Sequence, residues 1–346
     1  MRRLEIGYSC WGFLGPGVVD TPDGSRSYRA PLVDALELAG HLVTLLQANR
    51  DLKEAGLDLR DAYDFDSGLP GLDVVMFEWR WPLPGRNTTA CGSLGHHCDL
   101  HRQAELIEHY TLAGVPTIIW DLDRRLPADD PLRGLRNVRV CEFATRPTPG
   151  ATTTLCPVPD SRLDAADAYE LAQLHRPTSL VYVGNQYDRD EHFDRYFASA
   201  ARHVGHRVAG KWIRTQAWPH VNFTGRCAFT DVDRIHRGAL ATVMLLPDRY
   251  AAAGHITQRL FEAVLAGCVP LMPADVVDGH RFVPDELIVI DGKDVVEKVE
   301  YLQRIAGTIT HTGLIYQCLR YLDQMRLSRQ AAVFQQVITD LMSTPE

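Results

Sequence analysis

Short apolar runs alternate with helical repeats along nearly the whole chain, and this alternation limits the fold more than any other feature. The runs fall at residues 4–8, 41–46, 72–78, 115–120 and 138–143, then at 179–183, 206–212, 221–224, 241–246, 269–272 and 287–291. Apolar patterns of helical period separate many of them, at 30–38, 101–112, 193–203, 232–238 and 293–305, with a last one at 327–341. Strands interleaved with helices imply a parallel sheet covered on both faces, and a strand buried on both faces reads as a continuous apolar run. Ligands of such sheets bind beyond the carboxyl ends of the strands. The loops after residues 8, 78, 120 and 183 are therefore where function is expected.

The alternation is interrupted once. Residues 146–167, RPTPGATTTLCPVPDSRLDAAD, concentrate proline, threonine and glycine and read as a linker. A chain of 346 residues has room for two domains with separate cores. The expected architecture is α/β, with two Rossmann-like domains facing a cleft: 1–165, 166–326, and a C-terminal helix at 327–346 that crosses back.

Composition removes several function classes. The chain is 45% hydrophobic and 23% charged, typical of a soluble globular protein, and no stretch approaches the roughly 18 apolar residues of a membrane span. The start, Met1-Arg2-Arg3 followed by LEIGYS, has no signal-peptide core, so a cytoplasmic protein with no membrane contact is expected. A net charge of -8 argues against a broad nucleic-acid-binding face. The glycines at 12, 15 and 17 do not match the dinucleotide fingerprint, which disfavours a nicotinamide enzyme. Cys91, His96, His97, Cys98, Asp99 and His101 are residue types that zinc uses. They lie within eleven residues and lack a separated second half, so a polar loop and helix start without metal is expected.

The most informative stretch is 255–273, HITQRLFEAVLAGCVPLMP, a helix feeding a buried strand. Arg259 and Glu262, three apart, share one face near the start of that helix. An arginine there can clamp a phosphate, and a carboxylate one turn on can accept both hydroxyls of a ribose. Four other loops would face the same cleft. GNQYDR offers Gly184 for close backbone approach, Asn185 for a phosphate or ribose and Arg189 for charge; FTGRC offers Gly225 and Cys227, where a planar base could lie. Asp248, Arg249 and Tyr250 precede the helix, and DLDRRLP carries Asp121 and Asp123 in the first domain. Nucleotide on one wall and carboxylate on the other suits sugar transfer: a carboxylate accepts the proton of the acceptor hydroxyl, while arginines stabilise the departing diphosphate. No tightly bound cofactor and no metal is required, although a divalent ion is compatible with the chemistry.

The run GHITQRLFEAVLAGCVPL, together with YVGN and an arginine close behind, resembles the nucleotide-binding region of GT-B glycosyltransferases, especially the CgeB-like group. A narrower similarity is to the T-even phage DNA β-glucosyltransferases. Their pattern F-I-T-x-R-x-x-E corresponds to His255 through Glu262, T-D-I-R-L-P to Leu122 through Pro127, and F-T-G-K to Phe223 through Arg226. The resemblance implies Asp123 as catalytic base with Asp121 as its rival, Arg259 on the diphosphate and Glu262 on the ribose. It also brings in Thr257, and Gly24, Ser25 and Arg26 in the region that meets sugar and phosphates. It implies a UDP-sugar donor and an acceptor hydroxyl, on a hydroxymethylated pyrimidine of DNA or on a small natural product or glycan, with inversion. Two other readings stay open: a sugar-nucleotide epimerase of the same fold, and a non-catalytic cleft-binding protein.

Overall fold

The computed structural model describes residues 2–18 and 25–343. Two compact units emerge: one contains the residues through Gly17, Arg29–Leu155 and the segment from Ser328 onward, and the other contains Cys156–Leu327 with Val18–Tyr28. Gly24, drawn in by the resemblance, lies outside the described residues.

The first unit is built on β1 (Glu5–Ser9), β2 (Leu42–Leu45), β3 (Asp64–Phe65), β4 (Val74–Glu78), β5 (Thr117–Asp121), β6 (Val138–Glu142) and β7 (Thr152–Thr153). Their order across the sheet is β3-β2-β1-β4-β5-β6-β7, with every ladder parallel. The chain therefore winds outward from β1 to β3, then returns to lay β4 on the other side of β1, and that reversal is where a parallel sheet opens a ligand crevice. A buried ion pair sits at this reversal. Arg29, in the helix Arg26–Leu38, donates to both carboxylate oxygens of Glu78 at 2.6 and 2.7 Å and to the carbonyl of Phe13 at 2.7 Å. Tyr8 also donates to Glu78, so one carboxylate ties β1, β4, the first helix and the first loop together.

The second unit carries β8 (Thr178–Val183), β9 (His206–Ala209), β10 (Ala239–Val243), β11 (Val269–Pro273) and β12 (Ile288–Val289), in the order β12-β11-β10-β8-β9 and again all parallel. Here the reversal falls at β8, flanked by β9 and β10. Val181, Val183, Ala209, Ala239, Ala263 and Cys268 form one apolar cluster beneath it.

The stretch 146–167 is not a free linker. Thr152 and Thr153 pair with Cys141 and Glu142 as an edge strand of the first sheet, and Val158 bridges Arg326 in the second unit. The division consequently falls at 155/156 rather than 165/166. Hydrogen-bonding partners, not proline content, set the boundary. The expected strand at 221–224 contracts to a single bridge between Val208 and Phe223. A helix at Ile309–Tyr321, capped by Thr308, had no counterpart in the sequence reading. From Leu327 a final helix runs to Ser343; in the first unit its Gln330 accepts the Leu155 N–H at 2.8 Å and its Phe334 packs edge-on against Trp120.

His192 shows how the second unit is held at the strand exits. Its Nδ1 lies 2.7 Å from the Leu246 carbonyl and its Nε2 lies 3.2 Å from Asp275, so the ring donates from both nitrogens when protonated. The Asp275 hydrogen bond raises the His192 pKa above its ordinary 6.5, against the opposing effect of burial. A raised histidine pKa stabilises the fold fully below the unfolded value and loses that contribution as pH climbs through the folded one. His192→Gln should lower stability by about 1 kcal/mol at pH 5.5, and the difference from wild type should shrink as pH rises through and beyond the ordinary imidazole range. Thermal unfolding of both proteins across this range checks the sign; a gap that widened with pH would refute it.

Candidate active site

Tyr182, near the end of β8 and fully buried, is the centre of the second unit's site. Two guanidinium groups stand over its ring, Arg259 at 5.8 Å and Arg189 at 6.0 Å, and Arg189 also donates to the Tyr182 hydroxyl and, from Nε, to the Tyr187 carbonyl at 2.9 Å. Arg189 is only 7% exposed, yet neither arginine has an ion-pair partner among the described residues. The Nε of Arg259 is buried with no hydrogen-bond partner. Burial lowers the Arg259 pKa, repulsion from Arg189 adds to this, and Tyr182 and Glu262 oppose it. Two like charges gathered on one phenol form a site for an anion.

Glu262 lies one turn further along the helix Arg259–Leu265. It accepts a hydrogen bond from Ser27, and burial raises its pKa while Ser27 and then Arg259 pull the other way. Ser27 belongs to the first turn of the helix Arg26–Leu38, whose Arg26 is buried, donates to the Val18 carbonyl at 2.7 Å and covers the Phe229 ring at 4.4 Å. Ser25 accepts from the Tyr28 hydroxyl at 2.7 Å. Ser27 and Tyr182 escaped the sequence reading: one is an ordinary helix-start serine, the other an aromatic in a strand.

The loop after β8 takes its shape from its own polar groups. The Asn185 side-chain oxygen, expected on a phosphate or ribose, accepts the Lys211 N–H at 2.6 Å, and Gln186 accepts the N–H groups of Ile213 and Arg214. Gly184 takes the Trp212 indole N–H on its carbonyl at 2.8 Å, and a side chain on Gly210 would meet that same carbonyl at 2.1 Å. Asp188, in the left-handed region at φ 46°, pairs with Arg249 at 2.8 Å. Tyr250 lies flat on buried His255 at 3.8 Å, and Thr257, 8% exposed, has an unpartnered hydroxyl. Gly225 adopts φ 77° and accepts the Gly210 N–H at 2.8 Å, while Cys227 packs against the apolar cluster under the sheet.

In the first unit the structure separates the two rival carboxylates. Asp121 is fully buried at the last position of β5 and accepts the N–H groups of Arg125 and Leu126 at 2.9 and 2.8 Å. Burial pushes its pKa up to about 6, opposed by those two hydrogen bonds. Asp123 is half-buried in the turn that follows, where Arg124 takes a left-handed φ of 51°. The strand ends at Asp121, so the two carboxylates do not sit on one extended segment. Arg124 pairs with Glu142, itself also held by Arg133 at 2.9 Å. Asp121→Ala should destabilise the protein by about 1–3 kcal/mol by freeing two buried donors. Urea titration checks this, and an unchanged stability would refute the anchoring role of Asp121.

No family model matches the chain, and no curated protein matches it. Solved structures do. T4 phage BGT in complex with UDP and Mn2+ is 12% identical with a TM-score of 0.64, over 96% of this chain and 99% of that one. An α-glucosyltransferase in complex with UDP and a 13-mer DNA containing an HMU base is 9% identical at a TM-score of 0.60, over 98% and 100% of the two chains. Anabaena HepE in complex with UDP-glucose is 11% identical at 0.55, over 99% and 100%. The fold of this chain is that of the GT-B glycosyltransferases, α/β with two Rossmann-like units.

Proposed function

We propose that the protein is a glycosyltransferase that moves a sugar from a UDP-sugar to an acceptor hydroxyl. The observation that carries this reading is the pair of buried Arg189 and half-buried Arg259, both over the Tyr182 ring and unpaired with any carboxylate among the described residues. A diphosphate supplies the missing charge. Glu262, one helical turn away, accepts the ribose hydroxyls, with Ser27 fixing its orientation. Thr257, Tyr250 and Arg26 complete the donor side, and Gly225 and Cys227 flank the base.

Asp123 is the catalytic base of this proposal. It takes the proton from the acceptor oxygen as that oxygen bonds to the anomeric carbon; the bond from this carbon to the diphosphate breaks, and UDP leaves with the electron pair. Attack opposite the leaving group inverts the anomeric centre. The hydrogen bonds that Asp121 accepts from the N–H groups of Arg125 and Leu126 favour Asp123 over it for this role.

Two acceptor classes are supported by different observations. The similarity in fold to T4 phage BGT and to the α-glucosyltransferase bound to HMU-containing DNA supports a hydroxymethylated pyrimidine in DNA. The net charge of -8 favours a small natural product or glycan. Incubation with UDP-glucose and either hydroxymethylated DNA or a panel of small hydroxylic acceptors, with and without Mn2+, decides between them by which mixture releases UDP. Release from no mixture, with any nucleotide sugar, would remove the transferase reading.

The donor site has its own test. Glu262→Ala should weaken UDP binding about tenfold or more, the loss of a charged hydrogen bond of about 1.5–3 kcal/mol. Arg259→Ala should cost at least as much, and calorimetric titration with unchanged affinity in either variant would refute the assignment. Asp123→Asn should keep UDP affinity and lower turnover about a hundredfold or more. Near-normal turnover in that variant would move the base elsewhere.

A further inference from the structure

The loop joining β4 to the helix Asp99–Leu106 plays no part in the reaction described above, yet it gathers four metal-binding side chains. Cys91, His96 and Cys98 come from the loop and His101 from the first turn of the helix. One ligand atom from each, two thiol sulfurs and two imidazole nitrogens, lies within 4.8 Å of the other three. The Cys91 sulfur is 2.9 Å from Nδ1 of His101. His96 has its Nδ1 3.0 Å from the Thr89 hydroxyl, and its Nε2 is buried with no partner. Cys98 stands at the helix N-cap without making a side-chain cap.

We propose that these four residues form a structural Cys2His2 zinc site. Around tetrahedral zinc, with bonds of about 2.0 to 2.3 Å, ligand atoms stand about 3.3 to 3.8 Å apart, so the four need to close by only about 1 Å. Two thiolates balance the charge of Zn2+, and their two protons pass to solvent on binding. Soft sulfur with imidazole selects zinc over magnesium, calcium or manganese. Thr89 accepts the Nδ1 proton of His96 and so presents Nε2 to the metal, the outer hydrogen bond that such histidines use. With four protein ligands no position remains for water or substrate, which makes the ion a staple rather than a catalyst.

The compact spacing, which argued against a metal in the sequence, is resolved by two glycines. Gly92 and Gly95 take left-handed φ angles of 82° and 77° between Cys91 and His96 and fold the loop back on itself. His97 and Asp99 lie outside this group, and buried Asp99 pairs instead with Arg80 at 3.1 Å. Cys98 and His101 also line a cavity of about 460 Å3 shared with Trp11, Gln47 and Ser67, beyond the carboxyl ends of the first strands. The zinc would therefore fix one wall of that cavity.

The test uses the full chain, purified under a non-chelating phosphine reductant and dialysed against Zn2+. Mass-spectrometric metal analysis should find about one zinc per chain, and Cys91→Ser combined with Cys98→Ser should reduce it about tenfold or more. His101→Gln, at an exposed position, provides a second variant whose circular dichroism reports an intact fold. Replacing Zn2+ by Co2+ should give the visible absorption of tetrahedral thiolate-bound cobalt in wild type and not in the cysteine variant. Zinc content unchanged in both variants, no zinc uptake by the reduced wild type, or a Cys91–Cys98 disulfide in the reduced preparation would overturn the proposal.

Discussion

Parallel pairing is the constraint on which the rest of the structure depends. Every ladder in both sheets is parallel, so each strand must be followed by a crossover before the next can begin, and the strand exits of a sheet all open on one edge. Arg189 reaches the second sheet's edge from the connection after β8, and Asp248, Tyr250 and Thr257 from the connection after β10, for this reason. The first sheet does the same for Trp11, Gln47, Arg80 and Asp123. A site assembled in this way needs no special segment, only loops free to vary at their tips.

Charge is handled in two ways in this chain. Buried Arg29 meets Glu78 through two nitrogens, and Arg326 is surrounded by Asp160, Asp164 and Asp323. These are closed accounts of charge and anchor backbone. Arg189 and Arg259 instead share one aromatic ring and repel one another, with no carboxylate paired to either among the described residues. The difference between paired and unpaired arginines is visible only in three dimensions.

The strands and most helices were legible because apolar period and β-branched content survive in a single sequence: β4, β5, β8 and β11 lie within a residue or two of the expected runs. That Arg259 and Glu262 share one helix was legible from their spacing of three. What was not legible depends on partners distant in sequence. Asn185 has the chemistry of a phosphate ligand but is claimed by Lys211, and Asp121 resembles Asp123 until the turn at Arg124 separates them. The segment 146–167 looks like a linker by composition, but Cys141, Glu142 and Arg326 give it partners. Ser27 carries no signal of its own; only the return of Glu262 beside it gives it meaning.

The last helix gives the first unit an unusual history. Residues 328–343 complete a core that Trp120, Phe143 and Leu155 begin, and they follow the whole of 156–327 in the sequence. Residues 156–327 are made before them, as one continuous stretch. During synthesis, therefore, the amino-terminal half waits with Trp120 uncovered while the later half already has nearly all of its sequence, the reverse of the usual vectorial order. The sheet of the first unit is thus made long before the helix that covers it.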